Sequence, residues 1–534
     1  MIFFAFSLTP SLLPRADVVQ GIISGLSLAA GYTVGVAGVW IWQYLDLPTL
    51  KKKTQYITKA TVAIGGGGLA LLFLWQATGW QNSIRSLMGM QPTTPVHPFV
   101  VGFVTLIIFL LAILFGKLVH RIYLFITGYL QNHIPRKISN LVGFFLVIII
   151  LWITVSGLLF SLVLRSYDLT YQQYDALVQP EHEPPQLAEV SGSPQSLLTW
   201  EEMGRQGRNF LVDRPTAGKI NNLTENEARE PIRVYVGLNA ARSTEERAEL
   251  ALEELKRTGA FDRSVLVLAT PTGTGMIDEN AITPLEYLHR GDVATVAAQY
   301  SYLPSHVALI AEGEYGTEMA RAVFNKIYEH WSALPADSRP ELYLYGLSLG
   351  ALNSERSFDL YDIINDPFQG VLWSGPPYRM ATWREVTTHR DAGTPFWLPE
   401  FRGGEVVRFA NQSSRLADYE GEWGDFRIAF LQYASDPITF FSPEIFYRQP
   451  KWLDEPRGPD VVDELRWFPI VTGLQLAADM AWGSAPPGYG HNFAMKDYLW
   501  TWYDLTEPEG WTESELKKLQ GKLKNNGDGA DYEH

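Results

Sequence analysis

Four long apolar stretches, Val18 to Leu45, Tyr56 to Thr78, Pro98 to Leu118 and Leu141 to Leu164, occupy most of the first third of the chain. Each supplies the ~20 helical residues needed to cross a hydrocarbon core of about 30 Å, and together they predict four spanning helices. The opening run from Met1 to Leu13 is too short to cross alone and is interrupted by Pro10, with Pro14 just beyond it. It is expected as a re-entrant piece or as the remnant of a further span. Small residues recur at Gly21-x-x-x-Gly25 and Gly31-x-x-x-Gly35, and Gly65 to Gly68 form an unbroken run, a pattern that predicts close helix packing. Ionisable groups are missing from the middles of these stretches, which argues against a pump or channel.

After Ser166 the pattern changes. Residues 167–198 are polar and carry Pro180, Pro184, Pro185 and Pro194, a composition that predicts a tether. Thr199-x-x-Glu202 reads as a capping box opening a short helix through Met203. Strand-length apolar runs follow at Ile232 to Val236, Val265 to Ala269, Leu342 to Tyr345, Gly370 to Trp373 and Ile428 to Tyr433. Helical patterns lie around Thr244 to Arg257, around Gly316 to Trp331 and after Ser348. Alternation of this kind predicts a mainly parallel sheet with helices on both faces. The expected organisation is a multi-span region over 1–166, a linker over 167–198, an α/β domain over 199–510 and a polar tail over 511–534.

Charge sharpens the division. Up to Ser166 there are eleven lysines and arginines against two acids, a net +9; the whole chain of 534 residues carries −15, so the remainder carries −24. An acidic remainder argues against nucleic acid as a partner. The chain has no cysteine, which excludes disulfides, thiolate catalysis and cysteine-ligated metal or iron–sulfur clusters, and nothing in it calls for a cofactor or metal. Lys51 to Lys53 lie between the first two spans, and Lys117, Arg121, Arg136 and Lys137 between the last two, whereas the loop after the second holds only Arg85. Basic loops stay cytoplasmic, so everything after Arg165 is expected on the extracytoplasmic side of a cytoplasmic membrane.

The candidate chemistry begins at Gly346-Leu347-Ser348-Leu349-Gly350, which closes an apolar run and opens a helical one. A G-x-S-x-G turn between strand and helix holds the serine in a strained conformation, and its glycines are needed because a Cβ would collide with neighbouring backbone. Ser348 is therefore the expected nucleophile, exposed at the carboxyl edge of the sheet. Such a serine needs a base, and the base a carboxylate to orient it. Chain order selects them: Asp436, beside Pro437, follows a later strand, and His491 sits in the glycine-rich run Gly488-Tyr489-Gly490-His491. His289, His306, His330 and His389 precede Asp436 and fall out on order; Asp460, Asp463 and Asp479 are the fallback acids. Oxyanion stabilisation needs two backbone donors. One is expected from Leu349 and the second from Leu238 or Asn239 after the strand ending at Val236, with the loop Thr270 to Gly275 as competitor.

These residues carry a resemblance. Thr9-Pro10-Ser11-Leu12-Leu13-Pro14-Arg15, Gly204-Arg205-Gln206-Gly207-Arg208, the Ser348 turn, Trp373-Ser374-Gly375-Pro376-Pro377, Ser435-Asp436-Pro437 and Gly490-His491 together resemble bacterial integral-membrane α/β-hydrolases, with a multi-span amino-terminal domain and a carboxyl-terminal catalytic domain. The resemblance implies serine hydrolase chemistry without fixing a substrate. The expectation is a membrane-anchored esterase or lipase-like enzyme acting on a membrane lipid or other hydrophobic ester. Its alternatives are a catalytically idle lipid-binding or envelope-assembly protein on the same scaffold, and an acyltransferase. The long stretches flanking Asp436 are rich in aromatics, among them Trp383, Trp397, Trp423, Phe441, Trp467 and Trp482, and predict a lid or a surface for the membrane–water boundary.

Overall fold

The structure, a computed structural model, describes residues 1–48, 51–93, 97–154, 157, 170–179, 182–304, 307, 314–454 and 456–527. The chain forms two compact units, one made of Met1–Ser166 together with Phe441–Pro486 and the other of Tyr167–Phe440 together with Pro487–His534.

In the first unit, three helices are long and apolar enough to cross a membrane: Asp17–Tyr44, Lys52–Leu87 and Pro98–Gln131. The first matches its expected span to within a residue at each end, whereas the second and third overrun theirs, so that Lys117 and Arg121 lie within a helix rather than in a loop. The fourth expected span begins as the helix Arg136–Trp152, and most of its remainder lies outside the described residues. Of the glycine patterns, Gly21 and Gly25 serve close packing: an added Cβ would lie 2.6 Å from the Cβ of Val104 and of Ile108, respectively. The four-glycine run does not. A Cβ added at Gly65, Gly67 or Gly68 would meet nothing within 4 Å, and one at Gly66 would meet only Met1.

The opening segment is a short helix, Ile2–Ser7, followed by an extended piece whose partner comes from the far end of the sequence. Asp479, on the helix Val471–Trp482, accepts hydrogen bonds from the backbone N–H groups of Leu12 (3.1 Å) and Leu13 (3.3 Å). Gln475 donates to the Thr9 carbonyl (3.0 Å), and Phe6 stacks on Phe468 with ring centroids 4.0 Å apart. The segment 441–486, expected as part of the α/β domain, thus satisfies the backbone of Thr9 to Leu13, which has no helix or sheet to pair with.

The second unit is built on seven parallel strands: β1 (Ile232–Val236), β2 (Val265–Thr270), β3 (Val293–Ala298), β4 (Glu341–Leu347), β5 (Gly370–Ser374), β6 (Val407–Ala410) and β7 (Arg427–Leu431), in the order β1-β3-β2-β4-β5-β7-β6. β1 to β5 are buried along nearly their whole length, as strands covered on both faces must be, and their sequences are near-continuous apolar runs for that reason. The register brings Thr270 beside Gly346, Leu347 beside Ser374, and Ser374 beside Leu431. The carboxyl ends of β2, β4, β5 and β7 therefore finish in one row.

Three expected boundaries change. Thr199 and Glu202 do bond to each other (2.7 Å), but a turn follows and the helix starts at Gly204. Residues 188–198 are no free tether: Ser191 Oγ (2.8 Å) and the Leu197 N–H (3.1 Å) donate to Glu254, while Arg257 donates to the Ala188 carbonyl. Pro180 lies outside the described residues. The polar tail is in part the helix Glu513–Gly527, whose Leu516, Leu519 and Leu523 are buried in the core of this unit.

Candidate active site

Ser348 has φ +56° and ψ −120°, between the end of β4 and the helix Leu349–Glu355. A non-glycine residue with positive φ costs free energy and persists only where its surroundings impose it. Here they do. A Cβ on Gly346 would lie 2.5 Å from the Gly350 carbonyl carbon and oxygen, and one on Gly350 would lie 2.3 Å from the Thr270 oxygen, so both flanking glycines are required for the chain to reverse so tightly. The Ser348 N–H donates to the Ser374 carbonyl (2.9 Å), fixing the turn to the end of β5. Ser348 is 5% exposed, so the expectation of an open serine is corrected: the turn projects it from the sheet edge, but surrounding chain encloses it.

Asp436 and His491 meet. His491 Nδ1 lies 2.7 Å from Asp436 Oδ2, and the acid is fully buried. Asp436 also accepts from the Ile438 N–H (2.8 Å) and from Thr439 Oγ1 (3.2 Å), so the carboxylate is held in one orientation. The loop that carries the imidazole is closed by a bond from the Gly488 N–H to the Asn492 carbonyl (2.8 Å), and the ring packs edge-on against Phe493.

One dipeptide reaches both halves. Ser374 accepts from Ser348, and the next residue, Gly375, has φ +51° and sits so close to the imidazole that a Cβ there would lie 2.4 Å from His491 Cε1. Gly375 is tied to the acid's strand as well, through its N–H to the Leu431 carbonyl (3.0 Å). Sequence reasoning misses this role for Gly375, although a glycine followed by two prolines directly after a strand is a signal for it. The remaining described histidines of the α/β region are engaged elsewhere: His289 with Thr506, His330 edge-on to Phe261, His389 with Glu385. His306 lies outside the described residues. The fallback acids Asp460, Asp463 and Asp479 belong to the other unit.

Strand order counts against the expected second oxyanion donor, Leu238 or Asn239. β3 and β2 stand between β1 and β4, so the loop after β1 leaves the sheet three strand spacings, roughly 14 Å, from the strand that leads into Ser348. The Leu238 N–H is also spent on Gln299 Oε1 (3.2 Å). The loop after β2 is adjacent instead, with Thr270 against Gly350. Leu349, the residue after the serine, opens its helix next to this loop.

Among the described residues no group of three or more histidine, aspartate or glutamate side chains is arranged to hold a metal. The sequence matches two family profiles: one described as an alpha/beta-hydrolase family, over residues 232–519, and one described as the amino terminus of an alpha/beta-hydrolase family, over residues 8–215. Comparison with curated proteins and with solved structures returned no match.

Proposed function

Because the chain belongs to the alpha/beta-hydrolase family, we propose that it is a serine hydrolase cleaving carboxylic esters through Ser348, Asp436 and His491. The observation that carries this reading is the Ser374–Gly375 dipeptide, which bonds to the strained serine on one side and abuts the Asp436-paired imidazole on the other. In the proposed reaction His491 takes the Ser348 hydroxyl proton as Oγ attacks the ester carbonyl. The Leu349 N–H and a donor from the loop after β2 stabilise the oxyanion. Collapse expels the alcohol, which receives the proton from His491, and water then releases the acid by the same steps in reverse order. Asp436 fixes the imidazole's orientation and stabilises its charged form.

The substrate proposed is an ester with a hydrophobic acyl chain, drawn from a membrane in which the first unit is anchored. Three helices of spanning length and apolarity support the anchoring, and the basic residues Lys51 to Lys53 and Arg136 to Lys137 support a catalytic unit on the extracytoplasmic side of a bacterial cytoplasmic membrane. The test is a chain-length series of p-nitrophenyl esters, with and without liposomes, on wild type and Ser348→Ala. Activity that rises with chain length and with an interface, and vanishes in Ser348→Ala, is the expected result. Highest kcat/KM on acetate with no response to liposomes overturns the lipid reading, and product transfer to an added alcohol in place of hydrolysis identifies an acyltransferase.

A further inference from the structure

Two loops carry the acid and the base, and they are stitched together at more points than the pair itself. The first leaves β7 at Leu431 and runs Gln432-Tyr433-Ala434-Ser435-Asp436; the second runs from Gly490 into the helix Met495–Thr506. The Gly490 N–H donates to Ser435 Oγ (2.8 Å). Three residues before the acid, Tyr433 is completely buried, and its hydroxyl donates to Asp497 Oδ2 at 2.5 Å while accepting from the Ala494 N–H at 3.0 Å. Its ring stacks on Phe493 at 4.6 Å between centroids, and Phe493 in turn packs edge-on against His491. Asp497 is 7% exposed and belongs to the first turn of the helix that follows the histidine loop.

We propose that Tyr433, held by Asp497, is a positioning residue that sets the register between the Asp436 loop and the His491 loop. This rests on the reading of Ser348, Asp436 and His491 as a catalytic triad. The effect of Tyr433 is geometric: the phenol joins the acid's side of the pair, through the chain from Tyr433 to Asp436, to the base's side, through Ala494, Asp497 and the stacked Phe493. A charge-assisted bond of this length between enclosed partners resists the sliding of one loop along the other. Besides Tyr433, the Ser435–Gly490 bond and the catalytic contact join the two loops.

The test uses the full chain in detergent micelles with an ester substrate. Tyr433→Phe keeps the stacking on Phe493 and removes the hydroxyl; it should lower kcat by about 10- to 100-fold with KM unchanged, the scale at which small misplacements of a catalytic group act. Asp497→Ala should do the same. The double variant should lose no more than either single one, because both remove one linkage. Asp497→Asn, whose amide oxygen still accepts from the phenol, should recover most of the loss. A Tyr433→Phe enzyme with kcat within about twofold of wild type, or single losses that multiply in the double variant, overturns the proposal. Thermal unfolding identifies any variant that fails to fold, in which case Tyr433→Phe and Asp497→Asn decide. A readout independent of turnover keeps this separate from the hydrolase reading. In a Ser348→Ala background, the low-field proton resonance of the His491–Asp436 hydrogen bond should be lost or broadened by Tyr433→Phe. An unchanged resonance contradicts the positioning role even if the protein hydrolyses nothing.

Discussion

The two units use the same apolar residues in opposite directions. In the first, Trp75, Phe99 and Phe125 are 80%, 90% and 78% exposed, while Ser7, Gln20, Ser24 and Ser27 are buried and Gln20 bonds to the Ser7 carbonyl and to Ser24 Oγ. In the second, Tyr345, Trp373 and Trp502 are almost wholly buried, and charged side chains such as Lys326, Glu249, Lys517 and Glu513 pair on the outside. Burial of apolar surface drives folding only where the alternative is water. A unit that turns its aromatics outward and gathers its hydroxyls and amides within is compatible with insertion into hydrocarbon, where helix association rests on close packing and interhelical hydrogen bonds. Apolar content alone therefore does not separate the units. What separates them is which face of each element is apolar, and how closely small residues let backbones approach.

Removing the chemistry should fall wholly on the second unit and leave the first untouched. His491→Ala or Asp436→Asn should lower kcat by about 10⁴-fold or more, with the two losses far from additive, because triad members act as a unit. Esterase assays in micelles check this, and circular dichroism should show both variants folded. Next, Gly375→Ala places a methyl 2.4 Å from His491 Cε1 and must push the imidazole or the loop aside. A loss of about 100-fold in kcat with little change in KM is expected, since a displacement on the order of 1 Å is costly at a reacting group.

A smaller effect separates packed from open glycines within the first unit. Gly25→Val meets Ile108 and should destabilise that unit by about 1–3 kcal/mol, whereas Gly65→Ala has open space around it and should add about 0.5–1 kcal/mol through helix propensity. Thermal unfolding in micelles compares them.

The smallest effect depends on pH. Burial pushes the Asp497 carboxyl up to about 6, against the opposing bond from Tyr433 and the charge of Lys496. An acid whose folded value is raised is favoured when protonated, so its contribution to stability is complete below about pH 4 and is lost as pH rises through about 6. Asp497→Asn removes this dependence. Its stability relative to wild type should therefore rise between pH 4 and 6 and level off above, by at most about 3 kcal/mol. Melting temperatures measured across that range test the sign.

Local features were legible in the sequence and non-local ones were not. The Ser348 turn is encoded within five residues, and chain order led to Asp436 and His491, which the fold brings within 2.7 Å. Which of the two loops lies beside the Ser348 turn could not be read, because strand order is not written locally. Val293–Ala298, half of it alanine, carries little strand signal, yet as β3 it helps separate β1 from the strand that leads into Ser348. β6 was missed because four residues containing an arginine do not look buried; Arg408 is buried nonetheless, with its guanidinium donating to the carbonyls of Gly404 (2.8 Å) and Leu416 (2.9 Å). Nor could pattern reveal that residues 441–486 pack with the opening segment. Their bonds join positions more than 460 apart in the chain, and only the unpaired backbone around Leu12 and Leu13 hints that an acceptor is needed.

Whether Ser348 is an activated nucleophile is decided by covalent labelling of the full-length protein in micelles with a fluorophosphonate, the modified residue being located by mass spectrometry. An activated serine reacts and an idle scaffold does not. A single adduct on Ser348 is expected, abolished in Ser348→Ala and strongly slowed in His491→Ala. Absence of labelling on folded wild-type protein, or an adduct on another residue that persists in Ser348→Ala, would contradict the assignment of Ser348, Asp436 and His491 as a working triad.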